Sequence, residues 1–179
     1  LEVAYGTIRL GPTFQTDDAT VYIHAGATLD LNGNSKTVSD LSGYGAIALG
    51  AATLTVGKAA GSPTNTFGGD VQGAGNLAVG AFASSFPGST STNSLILTGV
   101  NTYTGTTTLS AGTLALGASN VLANTTAISI GNATLNAATF TDTVGTLDVT
   151  STATINLGAS ANLAFANSSA ISWTGGSLN

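Results

Sequence analysis

The sequence predicts a single all-β domain wound as a β-solenoid of about seven coils, and three observations predict it. Short apolar-x-apolar triplets recur, often seven or eight residues apart, with Gly, Asn, Ser or Ala filling the gaps. Thr, Val, Asn and Gly dominate, and capping boxes leading into 3.6-period apolar runs are missing, so helices have no foothold. The segment ATLDLNGNSKTVSDL from Ala27 also aligns without a gap on ATLNAATFTDTVGTL from Ala133. Units too short to close a core alone bury their apolar pairs by stacking, which is the physics of a solenoid.

Taken in order, LEVAYGTIRLG at the start alternates like a strand. The triplets then run Val21/Ile23, Leu29/Leu31, Ile47/Leu49, Leu54/Val56, Leu77/Val79, Leu95/Leu97, Leu114/Leu116, Ile128/Ile130, Leu147/Val149, Ile155/Leu157, Leu163/Phe165 and Ile171/Trp173. Each reads as a short strand with one inward face. Three strands per coil give roughly 22 to 25 residues a turn, stacked at ~4.8 Å. Residues 58–66 and 81–94, with Pro63 and Pro87 among clustered Ser, Thr and Gly, read as projecting loops. Phe82 and Phe86 either tuck the second loop over a coil or offer an apolar contact to a partner.

Composition narrows the function. Arg9, Lys36 and Lys58 are the only Lys or Arg, too few for the phosphate contacts of nucleic-acid binding. Without Cys, disulfides and thiol chemistry are out. Although 42% of residues are apolar, no uninterrupted run is long enough for a membrane-spanning helix.

The stretch LTGVNTYTGTTTLSAGTLALG from Leu97 resembles the autotransporter-associated β-strand repeat of bacterial autotransporter passengers and related surface proteins. The resemblance rests on Gly99, Asn101, Thr102, Tyr103, Thr104, Gly105 and Thr107, then Ala111, Gly112, Thr113, Leu114 and Leu116. The segments from Gly26 and Asp142 are similar. The resemblance implies a right-handed parallel β-helix, exported to the cell surface or beyond, a scaffold with no catalytic residues and no cofactor. Within such a scaffold Gly105, Gly112 and Gly117 would turn corners at positive φ, and the Tyr103 hydroxyl would reach the surface.

Chemistry finds little support. His24 alternates with Val21 and Ile23 and should point outward, with no nucleophile motif to serve. The acids Asp30, Asp40, Asp70, Asp142 and Asp148 occur singly, whereas glycan cleavage needs paired carboxylates; Asp17 and Asp18 are the one adjacent pair. GGDVQGAG from Gly68 is one incomplete copy of a calcium nonapeptide and reads as a turn. An ice-binding plane would need outward Thr-x-Thr at one point of several coils, and Thr102, Thr104, Thr106 and Thr108 crowd into one. The expected function is therefore a non-catalytic structural module, a stalk or a head-to-tail filament; adhesion to a glycan is the alternative. A filament would use the end strands, with Val3, Tyr5 and Ile8 at one end and Ile171 and Trp173 at the other.

Overall fold

The computed structural model describes residues 1–16, 19–57, 64–80 and 93–170. Every strand pair within them is parallel, and none of these residues is helical. The first coil contributes β1 (Glu2–Val3) and β2 (Thr7–Arg9). Three regular coils follow: β3 (Thr20–Ile23), β4 (Thr28–Asp30) and β5 (Lys36–Val38); β6 (Asp40–Gly43), β7 (Ala46–Ala48) and β8 (Thr53–Val56); β9 (Thr64–Phe67), β10 (Val71–Gln72) and β11 (Asn76–Val79). The next two coils carry β12 (Ser94–Leu97) with β13 (Thr107–Leu109), and β14 (Gly112–Leu116) with β15 (Ile128–Ile130). Then come β16 (Ala133–Ala138), β17 (Thr141–Val144) and β18 (Leu147–Val149), followed by β19 (Thr154–Leu157) and β20 (Asn162–Phe165).

Stacking these turns makes three faces. The first is one eight-stranded sheet in the order β1-β3-β6-β9-β12-β14-β16-β19, and the third is six-stranded, β18-β15-β13-β11-β8-β5. The second is split into β10-β7-β4-β2 and β17-β20, because the β12 and β14 coils cross it without a strand. The result is a β-solenoid of about seven turns, as the triplets predict.

Like side chains sit over like. Leu95, Leu114, Leu135 and Ile155 are in register on the first face, and Val38, Val56, Val79 and Leu109 on the third. Every predicted pair from Val21/Ile23 to Leu147/Val149 is buried. Each such side chain contributes on the order of 1.5–3 kcal/mol, and the alternation that buries it sends its neighbours to solvent.

Several details differ from the sequence reading. The turn is shorter than 22 residues in most coils, as where Thr20 meets Asp40, falls within the expected 22 to 25 where Ile47 meets Val71 and Leu54 meets Leu77, and reaches thirty where Val71 meets Asn101. The expected loops are narrower at their C-terminal ends. Thr64–Phe67 and Ser94–Leu97 are strands, and β9 went unseen because a buried Asn65 takes one of its two inward places beside Phe67. The rest of those loops, with Phe82, Phe86, Pro63 and Pro87, lies outside the described residues, as do Ile171 and Trp173.

The Ala27 and Ala133 echoes share local conformation, down to positive φ at the aligned Asn32 and Ala138. They occupy different faces, however: β4 belongs to the second face and β16 to the first. The echo is out of phase by one strand. Leu157 is 55% exposed rather than inward, because the register shifts between Asn136 and Ala138 and sets Leu157 opposite Ala138 instead of Ala137.

Candidate functional site

The first candidate is the N-terminal edge, where β1, β2 and β5 end their three sheets. Leu1 and Val3 carbonyls accept the Tyr22 and His24 N–H groups, while Gly6 and Asp30 carbonyls accept those of Thr28 and Leu10. Parallel pairing uses alternate residues, so the Glu2, Thr7 and Arg9 N–H groups face away from the neighbouring coil. Of the residues expected to serve assembly, Val3 is wholly buried, Ile8 is half-buried against the core, and Tyr5 is 91% exposed.

Among the described residues the third side of this coil has no strand. Residues 10–16 run irregularly beside β5, with Leu10 and Thr16 buried, and Lys36 Nζ donates to the carbonyls of Pro12 at 3.3 Å and Phe14 at 2.6 Å. Sequence reading missed this use of Lys36 because a lysine alternating with Val38 breaks the apolar triplet.

Outside the core, the corners between the first and second faces carry exposed Tyr5 and Tyr44, with Tyr22 one step back on β3. The Tyr44 ring lies over Gly68, where a Cβ would clash with it. His24 Nε2 is 2.6 Å from Glu2 Oε1 and meets Tyr22 edge-on, so it points outward as expected. Arg9 Nε donates to Asp30 at 2.8 Å; the Asn32 N–H first, and then Arg9, hold the Asp30 carboxyl below its usual range. Asp40 accepts from the Thr20 hydroxyl and Asp70 from that of Thr102, so these carboxylates tie coils together. Among the described residues no group of three or more His, Cys, Asp or Glu could hold a metal.

The second candidate is the strandless part of the second face, built by the motif that begins at Gly99. Asn101 is buried; its Oδ1 accepts the Val71 N–H at 2.9 Å, and its Nδ2 donates to Gly99 O at 3.1 Å and Val121 O at 2.6 Å. One coil further, Asp142 Oδ2 accepts the N–H groups of Val121 at 3.0 Å and Leu122 at 2.9 Å. Two side chains thus join four coils across the missing strands. Burial raises the Asp142 pKa, opposed by the N–H bonds from Leu122, Thr143 and Val121.

Beneath this column the Tyr103 hydroxyl bonds Thr107 Oγ1, which is 3.0 Å from Thr126 Oγ1, itself donating to Gly105 O at 2.6 Å. Tyr103 is fully buried, contrary to the expected surface-reaching hydroxyl, and burial pushes its pKa up to about 12. Gly112 has the expected positive φ of 77°, whereas Gly105 is needed for close approach: a Cβ there would strike Gly75 O. Asn101 thus bonds the local backbone at Gly99 and the backbone of the coils on either side at Val71 and Val121.

The hydroxyls of Thr64, Ser94, Thr113, Thr134 and Thr154 form one outward column on the first face. Its companion column is Thr66, Ile96, Ala115, Asn136 and Asn156, so no Thr-x-Thr plane spans these coils. No family model, no curated protein and no solved structure matches this chain.

Proposed function

We propose that the chain is a non-catalytic structural rod of a bacterial surface or extracellular protein, lengthened at its ends by further coils from the same chain or from identical copies. The observation that carries this reading is the first face, one parallel sheet running unbroken from β1 to β19, the outermost strands among the described residues. A sheet edge presents unpaired N–H and C=O groups that template another strand, and a head-to-tail contact repeats into a filament unless it closes a ring. The likeness of the Gly99 stretch to a passenger repeat points the same way.

Electron microscopy and light scattering at high concentration test it: unbranched fibres are expected. Val3 is a poor site for blocking growth because its side chain is in the core. Thr7→Pro removes an N–H from the free side of β2 and leaves the β4 ladder bonds in place, so it should shorten or abolish fibres while the melting curve of the monomer is retained. A wild-type protein that stays monomeric refutes copy-to-copy growth and leaves the rod as a segment of a longer solenoid.

A second reading, adhesion to a glycan, is favoured by Tyr5, Tyr22 and Tyr44, exposed on three successive coils, since aromatic faces are platforms for apolar sugar surfaces. Glycan-array binding lost in Tyr5→Ala/Tyr44→Ala protein supports it; no binding by wild type rejects it.

A further inference from the structure

We infer that the cleft in the second face, between the two coils that cross it without a strand, binds a hexose unit of a neutral sugar, with Asn120, Asn124 and Thr125 supplying the hydrogen bonds. Residues 100–103 wall it on one side and residues 120–125 on the other, and its volume of about 350 Å³ lies within the ~300–1,000 Å³ of small-molecule sites. Along the rod it is bordered by β10, whose Val71 carbonyl accepts the Thr102 N–H, and by β17, whose Thr141 carbonyl accepts the Asn120 N–H. The inference is independent of the rod reading, and the cleft lies away from Tyr5, Tyr22 and Tyr44, which belong to the first three coils.

Both walls are braced before any ligand arrives. Asn101 ties the first to Val71 and Val121, Asp142 accepts the Val121 and Leu122 N–H groups of the second, and the Thr126 N–H closes a tight turn on Ala123 O at 2.9 Å. Walls already ordered spare a ligand the cost of ordering them. The groups at the mouth take no part in this bracing. Asn120, Asn124 and Thr125 are exposed, and among the described residues their side chains have no hydrogen-bond partner. Beside them Val100, 64% exposed, gives the cleft an accessible apolar wall.

That combination defines the ligand. A carboxamide both donates and accepts, as a sugar hydroxyl does, so two of them with a Thr hydroxyl match a set of adjacent ring hydroxyls while Val100 meets the C–H surface of the ring. Charge argues against an ion. Among the residues lining the cleft Tyr103 alone is ionisable, and its hydroxyl is buried against Thr107. Asp70 and Asp142, bonded to the walls at Thr102 and at Val121 and Leu122, share one sign and oppose an anion. A purely apolar ligand would desolvate the amides and return no hydrogen bond. The hexose is either a free sugar or the end unit of a glycan chain.

The test is titration of the isotopically labelled protein with D-glucose, D-galactose and D-mannose in turn, followed by amide chemical shifts. Saturable shifts confined to residues 100–103 and 120–125 are expected with at least one of them, and the charged analogues D-glucuronate and D-glucosamine should bind more weakly. Asn120→Gly accommodates the positive φ of 55° without strain and removes one amide, and Asn124→Ala removes the other. Each should weaken the sugar about fivefold, the scale of one hydrogen bond, in a protein that still folds. The Tyr5→Ala/Tyr44→Ala protein should bind as wild type does, which separates this cleft from the tyrosine corner. The tetrasaccharide of the hexose that binds separates the sources: equal or tighter binding points to a chain end, and weaker binding to a free sugar. The proposal is overturned by an absence of saturable shifts with all three hexoses, by shifts centred elsewhere or lost in the Tyr5→Ala/Tyr44→Ala protein, by a charged analogue that binds as well as the neutral sugar, or by unchanged affinity in either Asn variant.

Discussion

The regular coils from β3 to β11 and the two coils carrying β12 to β15 hold the second face together in different ways. In the first group β4, β7 and β10 stack as strands, and Leu29 and Ile47 lie over one another with backbone ladders on either side. In the second group the chain crosses the same face without a strand, and Asn101 and Asp142 supply the cross-coil hydrogen bonds from side chains. A ladder of backbone bonds tolerates any residue that fits the pleat. A side-chain column depends on two particular residues, and its failure leaves buried N–H groups unsatisfied, which costs more than the bond itself is worth.

The comparison can be broken most severely in the shared core. Leu114→Asp places a carboxylate among Leu95, Leu135 and their neighbours, where no partner waits, and should prevent folding, so circular dichroism of that variant would show loss of strand signal even at low temperature.

The next effect separates the two kinds of coil. Asp142→Ala orphans the N–H groups of Val121 and Leu122 and should cost about 2–4 kcal/mol in chemical denaturation. Asp142→Asn keeps an acceptor for that pair and should cost roughly half as much, since it loses only the Thr143 N–H bond and removes a buried charge. Equal losses in the two variants would mean that charge rather than hydrogen bonding holds the column.

The smallest effect sharpens the picture within the column. Tyr103→Phe removes a buried hydroxyl bonded to Thr107 and should cost about 1 kcal/mol at neutral pH. It also changes the alkaline limb. The folded pKa of Tyr103 is raised from 10.0 to about 12, so its contribution is complete below pH 10 and is lost as pH rises toward 12, where the unfolded chain is already ionised and the folded one is not. Melting temperatures between those limits should fall less steeply in Tyr103→Phe than in wild type. Parallel curves would show that the hydroxyl is not enclosed in solution.

Much of the fold was legible because the signal is periodic. Two inward residues per short strand, with small or polar residues at the corners, leave stacking as the one way to bury them, and the nine triplets from Val21/Ile23 to Leu147/Val149 are all in the core, whereas Ile155/Leu157 and Leu163/Phe165 of the last described coil are only partly covered or exposed. The candidate sites were less legible because their residues break that pattern. Lys36, Asn65 and Asp142 occupy inward positions that alternation reserves for apolar side chains, and a single sequence does not say which buried backbone group lies within reach of each.

By itself, then, the sequence determined that the chain is all-β, that its strands are short, and that Leu, Ile and Val at alternate positions face inward, since these follow from local alternation and from the absence of anything a helix could use. Tertiary structure alone decided the phase. The Ala27 and Ala133 segments share conformation and yet lie on different faces, because a coil's length is the sum of its strands and corners, and insertions shift every later strand. It also decided that Tyr103 faces inward and that Asn101 and Asp142 replace a strand. The roles of Asn101 and Asp142 are fixed by residues about 20 or 30 positions away in sequence that stacking brings to within 3 Å.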